Sequence, residues 1–220
     1  QKLDVESCKL NTLDGFKINI FEKNLNHPRN IKVSDNGDVF IVESNPGKVR
    51  ILRDVDDDGV SDINQVFAEG FDYPFGIEIT YNFLYVADVN YIWKIPYKPG
   101  QLKSDGAPIK LTKSDALGQP TGHRTRNIVL LNNKIYIAIG SYGNIGVEDY
   151  PRATIQELDL KNNEQKIFAT GLRNPVGLDV HPVTKKLYTV VNERDGMGDD
   201  LVPDYFSEVE KGDFFGWPFF

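Results

Sequence analysis

His123 stands in Thr121-Gly122-His123-Arg124, just ahead of the apolar run Ile128 to Leu130. An imidazole titrates near neutrality, so a histidine at the start of a strand is equipped for general-base work. A solvated loop histidine is the plainer alternative. Further along, Arg173 and Asn174 precede Pro175. The proline has a fixed φ and no N–H, so it holds the pair at a strand entrance rather than inside a ladder. A guanidinium there can stabilise negative charge as it develops, or the pair is a surface Arg beside a turn Asn. The segment Asn192 to Asp204 (NERDGMGDDLVPD) carries four Asp, one Glu and two Gly. Calcium takes hard oxygen ligands of this kind, and a solvated acidic turn has the same composition. Asp54, Asp56 and Asp58 followed by Gly59 match the opening of a calcium loop, the glycine permitting the tight turn. Its twelfth position is Gln65, where a bidentate Glu would complete it. The expectation is a structural calcium on Asp54, Asp56 and Asp58; the rival is a charged hairpin that keeps an edge soluble. His27, ahead of Pro28, and His181, in a turn, are weaker candidates.

These residues hang on a repeat. Each unit opens with a short alternating strand: Ile31 to Val33, Ile77 to Ile79, Ile128 to Leu130, Leu178 to Val180. A polar turn follows, then a β-rich strand: Val39 to Val42, Leu84 to Ala87, Ile135 to Ala138, Leu187 to Val190. Third strands fall at Lys48 to Leu52, Ile92 to Ile95 and Thr154 to Leu160, and outer strands at Asn64 to Ala68, Pro108 to Thr112 and Glu164 to Ala169. The first strands start 46, 51 and 50 residues apart, the range of propeller blades. No long helical period interrupts the pattern. The fold predicted is all-β: a β-propeller rather than a sandwich, in a single domain over residues 1–220. Tyr85, Tyr136 and Tyr188 recur at one strand position and read as blade packing, and Trp217 as inter-blade core. In such a ring the loops entering the innermost strands surround an axial mouth, where ligands bind.

Composition narrows the classes. Hydrophobic residues make up 40% and charged residues 26%, as in soluble globular proteins. A formal charge of −7 offers no basic stripe for phosphates, which disfavours nucleic acid. The lone Cys8 excludes an internal disulfide and a zinc–thiolate site. No apolar run reaches the length of a membrane span, and no signal-type segment follows Gln1.

On three of its motifs the chain resembles the glucose/sorbosone dehydrogenase family, the soluble pyrroloquinoline quinone (PQQ) sugar dehydrogenases. The motifs are His123 with Ile128 to Leu130 and Ile135 to Gly140; Arg173-Asn174-Pro175-Val176-Gly177-Leu178; and Asp199-Asp200 followed by an aromatic strand from Gly212 to Pro218. The resemblance covers nearly the whole chain but about two-thirds of the family's six-bladed ring: four repeats and the opening of another. It implies that the chain is C-terminally incomplete and that Phe16 to Leu25 is the ring-closing strand. It further implies a PQQ- and calcium-dependent oxidation of a small-molecule sugar, in the periplasm or outside the cell, with an electron acceptor not specified. His123 would take the proton of the anomeric hydroxyl while hydride passes to the quinone. Arg173 and Asn174 would polarise the quinone, with Asn192 beside the cofactor, and calcium would sit on backbone carbonyls at Glu193 and Arg194. The family has Gly-Pro at those two positions, and the Gln it places near Tyr73-Pro74-Phe75-Gly76 is missing here. Two other readings stand beside this one. A calcium-stabilised propeller could bind a glycan or protein without catalysis, since fold alone does not fix function. A lactonase-type hydrolase would instead hold an axial calcium with side-chain carboxylates.

Overall fold

A computed structural model describes residues 11–219; Cys8 and most of the polar leading segment lie outside the described residues. Fifteen strands form four antiparallel sheets, each a meander in chain order. The first sheet is β1 (Pro28–Val33), β2 (Val39–Glu43), β3 (Lys48–Arg53) and β4 (Ile63–Glu69). The second is β5 (Gly76–Ile79), β6 (Phe83–Ala87), β7 (Ile92–Pro96) and β8 (Ile109–Lys110). The third is β9 (Ile128–Leu131), β10 (Lys134–Ile139), β11 (Thr154–Asp159) and β12 (Gln165–Thr170). The fourth has three strands, β13 (Asn174–Val180), β14 (Leu187–Asn192) and β15 (Tyr205–Val209). The described residues contain no helix, and the sheets are four blades of a β-propeller.

Local chemistry sets each meander. Leu131 pairs with Lys134 across Asn132 and Asn133, both at positive φ. Two such residues make the mirror-image turn whose twist suits a hairpin, and Asn tolerates that conformation. The alternating strands place their apolar sets between neighbouring sheets. Phe40, Phe67 and Tyr97 meet edge to face, with centroids 5.1–5.9 Å apart, between the first two sheets. Tyr85, Leu117, Ile128, Ile135 and Ile137 fill the next layer, and Tyr136, Ile155, Leu178, Leu187 and Val191 the layer after it. Truncating a fully buried aromatic such as Phe40 to Ala costs about 3–5 kcal/mol.

Three expectations change. Phe16 to Leu25 is not a ring-closing strand. No sheet edge is paired with it; Phe21 and Leu25 instead lie over Val39, Ile41 and Leu52 on the first sheet. Gly212 to Pro218 is not a strand of the fourth sheet either. It turns back along β12, where Gly212 N–H donates to Phe168 O, Phe215 N–H to Thr170 O and Trp217 N–H to Gly171 O, with one parallel bridge at Phe214. Trp217 ends buried as expected. Tyr188 keeps the strand position of Tyr136, opposite Glu208 as Tyr136 is opposite Glu157, but it is not buried as Tyr85 and Tyr136 are: it lies on the far face of the last sheet, stacked on exposed Phe206 at 5.1 Å. No further described sheet covers that face.

Candidate active site

In a meander the segments leading into β1, β5, β9 and β13 open on one face, together with the β2–β3, β6–β7, β10–β11 and β14–β15 loops. That face is the mouth. It gathers His27, Tyr73, His123, Asn174 and the loops 140–153 and 193–204. The turns within each hairpin and the β3–β4 loops lie on the opposite face. Asp54 to Asp62 and His181 are therefore remote from the mouth, and the His181 Nδ1 caps a turn by accepting from Val183 and Thr184 N–H. Across the axis Asn30 Nδ2 donates to Asn127 Oδ1 at 2.8 Å, and Asn127 Nδ2 to Val176 O at 3.1 Å, tying the first, third and fourth blades together.

Ser141 holds both the backbone and the ring of His123. Its backbone N–H donates to Ser141 O at 3.1 Å, and its Nδ1 lies 2.9 Å from that same oxygen and 3.0 Å from Ser141 Oγ. Ser141 Oγ donates its only hydrogen to Gly143 O at 2.6 Å. Both groups facing Nδ1 are thus acceptors, so Nδ1 carries the proton and Nε2 keeps its lone pair. Burial lowers the imidazole's pKa below its ordinary value, opposed by the Ser141 bond and joined by the Arg173 charge. Half-buried, neutral and tautomerically fixed, His123 has the form of a general base.

Asn174 stands beside it. Its Oδ1 is buried with no hydrogen-bond partner, an unmet demand of the kind that folded interiors mostly avoid. A Cβ placed on Gly140 would lie 2.7 Å from Asn174 Oδ1 and 2.7 Å from His123 Cβ. Glycine at 140 is what lets the two side chains stand together. Ser141, in turn, donates its N–H to Arg173 O at 2.6 Å, so one buried dipeptide, Gly140-Ser141, positions both halves of the site. In the sequence, Gly140 stands out only as the end of a strand. The sole signal was its place, the residues leaving β10.

Arg173 is buried, and all five of its N–H groups are engaged. Nε donates to Asn144 O, Nη1 to Asn192 O and Glu193 O, and Nη2 to Asn144 Oδ1 and Asp195 Oδ2. It staples the 144 loop to the 192–195 loop, and Trp217 Nε1 adds a bond to Asn144 O at 3.2 Å. This corrects two expectations. A guanidinium with every donor committed to the protein has none free for a quinone carbonyl. The metal expected on Glu193 and Arg194 also does not fit, because the Glu193 carbonyl already faces a cation and a second one beside it would be repelled. The Asn192 side chain is committed too: Nδ2 donates to Asp204 Oδ2 at 2.6 Å, while Glu193 N–H donates to Asp204 Oδ1. Asp199 and Asp200 are exposed.

Asp54, Asp56 and Asp58 do converge: one carboxylate oxygen from each lies within 4.8 Å of the others. The Asp54 carboxylate also accepts from the N–H groups of Asp57, Asp58 and Gly59, which shapes the turn. This donor set fits calcium. Among the described residues no other three acidic, histidine or cysteine side chains meet in this way.

The TrAA12-like family model matches residues 10–204. An uncharacterized protein of Borreliella burgdorferi is 27% identical over 94% of this chain and 55% of its own length. Among solved structures, the calcium structure of the Trichoderma reesei Carbohydrate-Active Enzymes Family AA12 protein superposes with a TM-score of 0.81 at 18% identity, over 94% of this chain and 59% of that one. The holo form of the pyranose dehydrogenase PQQ domain from Coprinopsis cinerea does so with 0.75 at 20% identity, over 90% and 51%. At these identities the structures speak for the propeller fold. The chain spans between half and three-fifths of the length of each relative.

Proposed function

The chain belongs to the TrAA12-like family, and from that premise we propose that it oxidises a sugar, with His123 as the base. The observation that carries the reading is the His123–Ser141 arrangement beside Asn174. It leaves a lone pair at Nε2, with Asn174 alongside. His123 Nε2 takes the anomeric hydroxyl proton as the C–H hydride leaves, and the sugar carbon loses two electrons to the acceptor. PQQ, when bound, supplies the two-electron acceptor. Asn174, beside His123, is the chain's own group for holding it. Arg173 acts by position, fixing the loops that wall the mouth. Calcium belongs on Asp54, Asp56 and Asp58, where it stabilises the first blade from the opposite face. Work outside the cytoplasm is part of the same proposal.

Dye-linked oxidation of a panel of aldoses, with PQQ and calcium supplied together and each withheld, tests this. Activity that needs PQQ and falls by about 10²–10⁴-fold in His123→Ala supports it, the usual worth of a general base. Unchanged oxidation in a folded His123→Ala protein overturns the assignment. Sugar binding without turnover favours the non-catalytic reading. For a lactonase, no three carboxylate or imidazole groups converge at the mouth among the described residues.

A further inference from the structure

We propose that Arg126 and Arg152 are positioning residues for His123: two buried guanidinium groups that clamp the backbone carbonyls of residues 119–125 and so hold the imidazole against the Ser141 acceptors that fix its tautomer. The inference rests on His123 being the base.

Arg126 is 0% exposed and Arg152 8%. Neither has a carboxylate within ion-pair distance among the described residues. An uncompensated buried cation is costly, and burial lowers both below the ordinary arginine range, Arg126 to about 9. What they face instead is carbonyl oxygen. Arg126 Nη1 donates to His123 O at 2.8 Å and Thr125 O at 3.0 Å, and its Nη2 to Gln119 O at 3.4 Å. Arg152 Nη1 donates to Gly140 O at 3.1 Å and His123 O at 3.4 Å, and its Nη2 to Thr121 O at 2.6 Å and to Gln119 O. The segment 119–125 belongs to no ladder, so these carbonyls need partners. The His123 carbonyl accepts from both guanidinium groups while its N–H is bound to Ser141 O. The peptide groups on both sides of that residue are thus pinned.

The glycines support the same reading. Gly118, at φ +73°, lies against Arg152, where an added Cβ would sit 3.1 Å from its Nε. Gly122, at φ +65°, lies against Tyr142, where a Cβ would sit 2.4 Å from its carbonyl oxygen. The segment has no room to shift while the clamp holds. The charges facing the imidazole from the surrounding elements are Arg173 at the start of β13, Asp195 in the β14–β15 loop and Glu148 in the β10–β11 loop. None of these touches the His123 backbone, which is held by the clamp on its carbonyl and by Ser141 on its N–H.

Long-range ¹⁵N correlation NMR of the imidazoles, with His123 assigned by its loss in His123→Gln, reads the tautomer without substrate or cofactor. The wild type is expected to show Nδ1–H alone. Arg152→Met is expected to show averaged tautomers and a titration moved back toward an ordinary histidine, with kcat falling about 10²-fold, the cost of a misplaced group, and KM little changed. A folded Arg152→Met protein that keeps the wild-type tautomer and titration overturns the clamp. Should that variant not fold, the same measurement on Arg152→Gln decides. The base assignment fails separately, through His123→Ala activity, and leaves the tautomer result intact.

Discussion

The mouth and the Asp54–Asp62 loop are both polar sites, built in opposite ways. The loop is local: Asp54 turns its own backbone through the N–H groups of Asp57, Asp58 and Gly59, and the three carboxylates come from one short stretch. The mouth is assembled from segments far apart in the chain. Ser141 joins His123 to Arg173, and Arg173 joins Asn144 to Asn192, Glu193 and Asp195. The loop is exposed and can lose a ligand cheaply. The mouth rests on buried groups, and most of them are partners of one another. The two regions therefore differ in how they respond to damage.

The largest contrast is expected at Gly140. Alanine there would press its Cβ onto Asn174 Oδ1 and His123 Cβ, displacing the two groups the chemistry needs. Overpacking of this kind costs about 1–3 kcal/mol, while misplacing a reacting group by an ångström costs about 10²-fold in rate. Dye-linked kinetics and a thermal melt on Gly140→Ala should show activity lost and the fold kept. Full activity would mean that the pair does not need its close approach.

The same contrast explains what was legible in the sequence. The calcium-type loop could be read from Asp and Gly spacing because its geometry is written in consecutive residues. The blades could be read for a similar reason, since the alternation in Val39 to Val42 or Ile135 to Ala138 fixes both strand and buried face. His123 and Asn174 were visible by type and place. Ser141, Arg126 and Arg152 were not. A serine and two arginines carry no local sign that they will be buried on carbonyls from other segments. Arg173 was visible but its role was not, because nothing in Arg-Asn-Pro shows that Asn144, Asn192, Glu193 and Asp195 will take all its donors. Phe16 to Leu25 misled because an alternating pattern marks an apolar face and does not supply a sheet edge to pair with.

A smaller effect separates the two faces by calcium. Saturating calcium at about a hundred times its Kd adds about 2.7 kcal/mol to stability, so melts with chelator and with calcium restored should differ by several degrees. Asp56→Asn should shrink that difference, and Arg173→Met should leave it intact while lowering both melting temperatures. If Arg173→Met removed the calcium response, the ion would belong at the mouth, and the guanidinium at Glu193 would be supporting it rather than standing in its way.

The smallest effect is in pH. Burial holds the His123 pKa below its ordinary value, so the folded protein favours the neutral ring more than the unfolded chain does. The sign follows from linkage: the protein binds fewer protons here when folded, so this contribution to stability is fully present above the unfolded pKa of about 6.5 and is lost as pH falls through the lower folded value. The same titration switches the base off. The acid limb of kcat/KM should therefore lie below that of an ordinary histidine, and an Arg152→Met protein should move that limb upward, back toward it. Asp56→Asn, on the far face, should leave it where it is. A limb that moved equally in both variants would trace to the stability of the blade as a whole and would erase the distinction between a site held by its own buried contacts and one held by the fold at large.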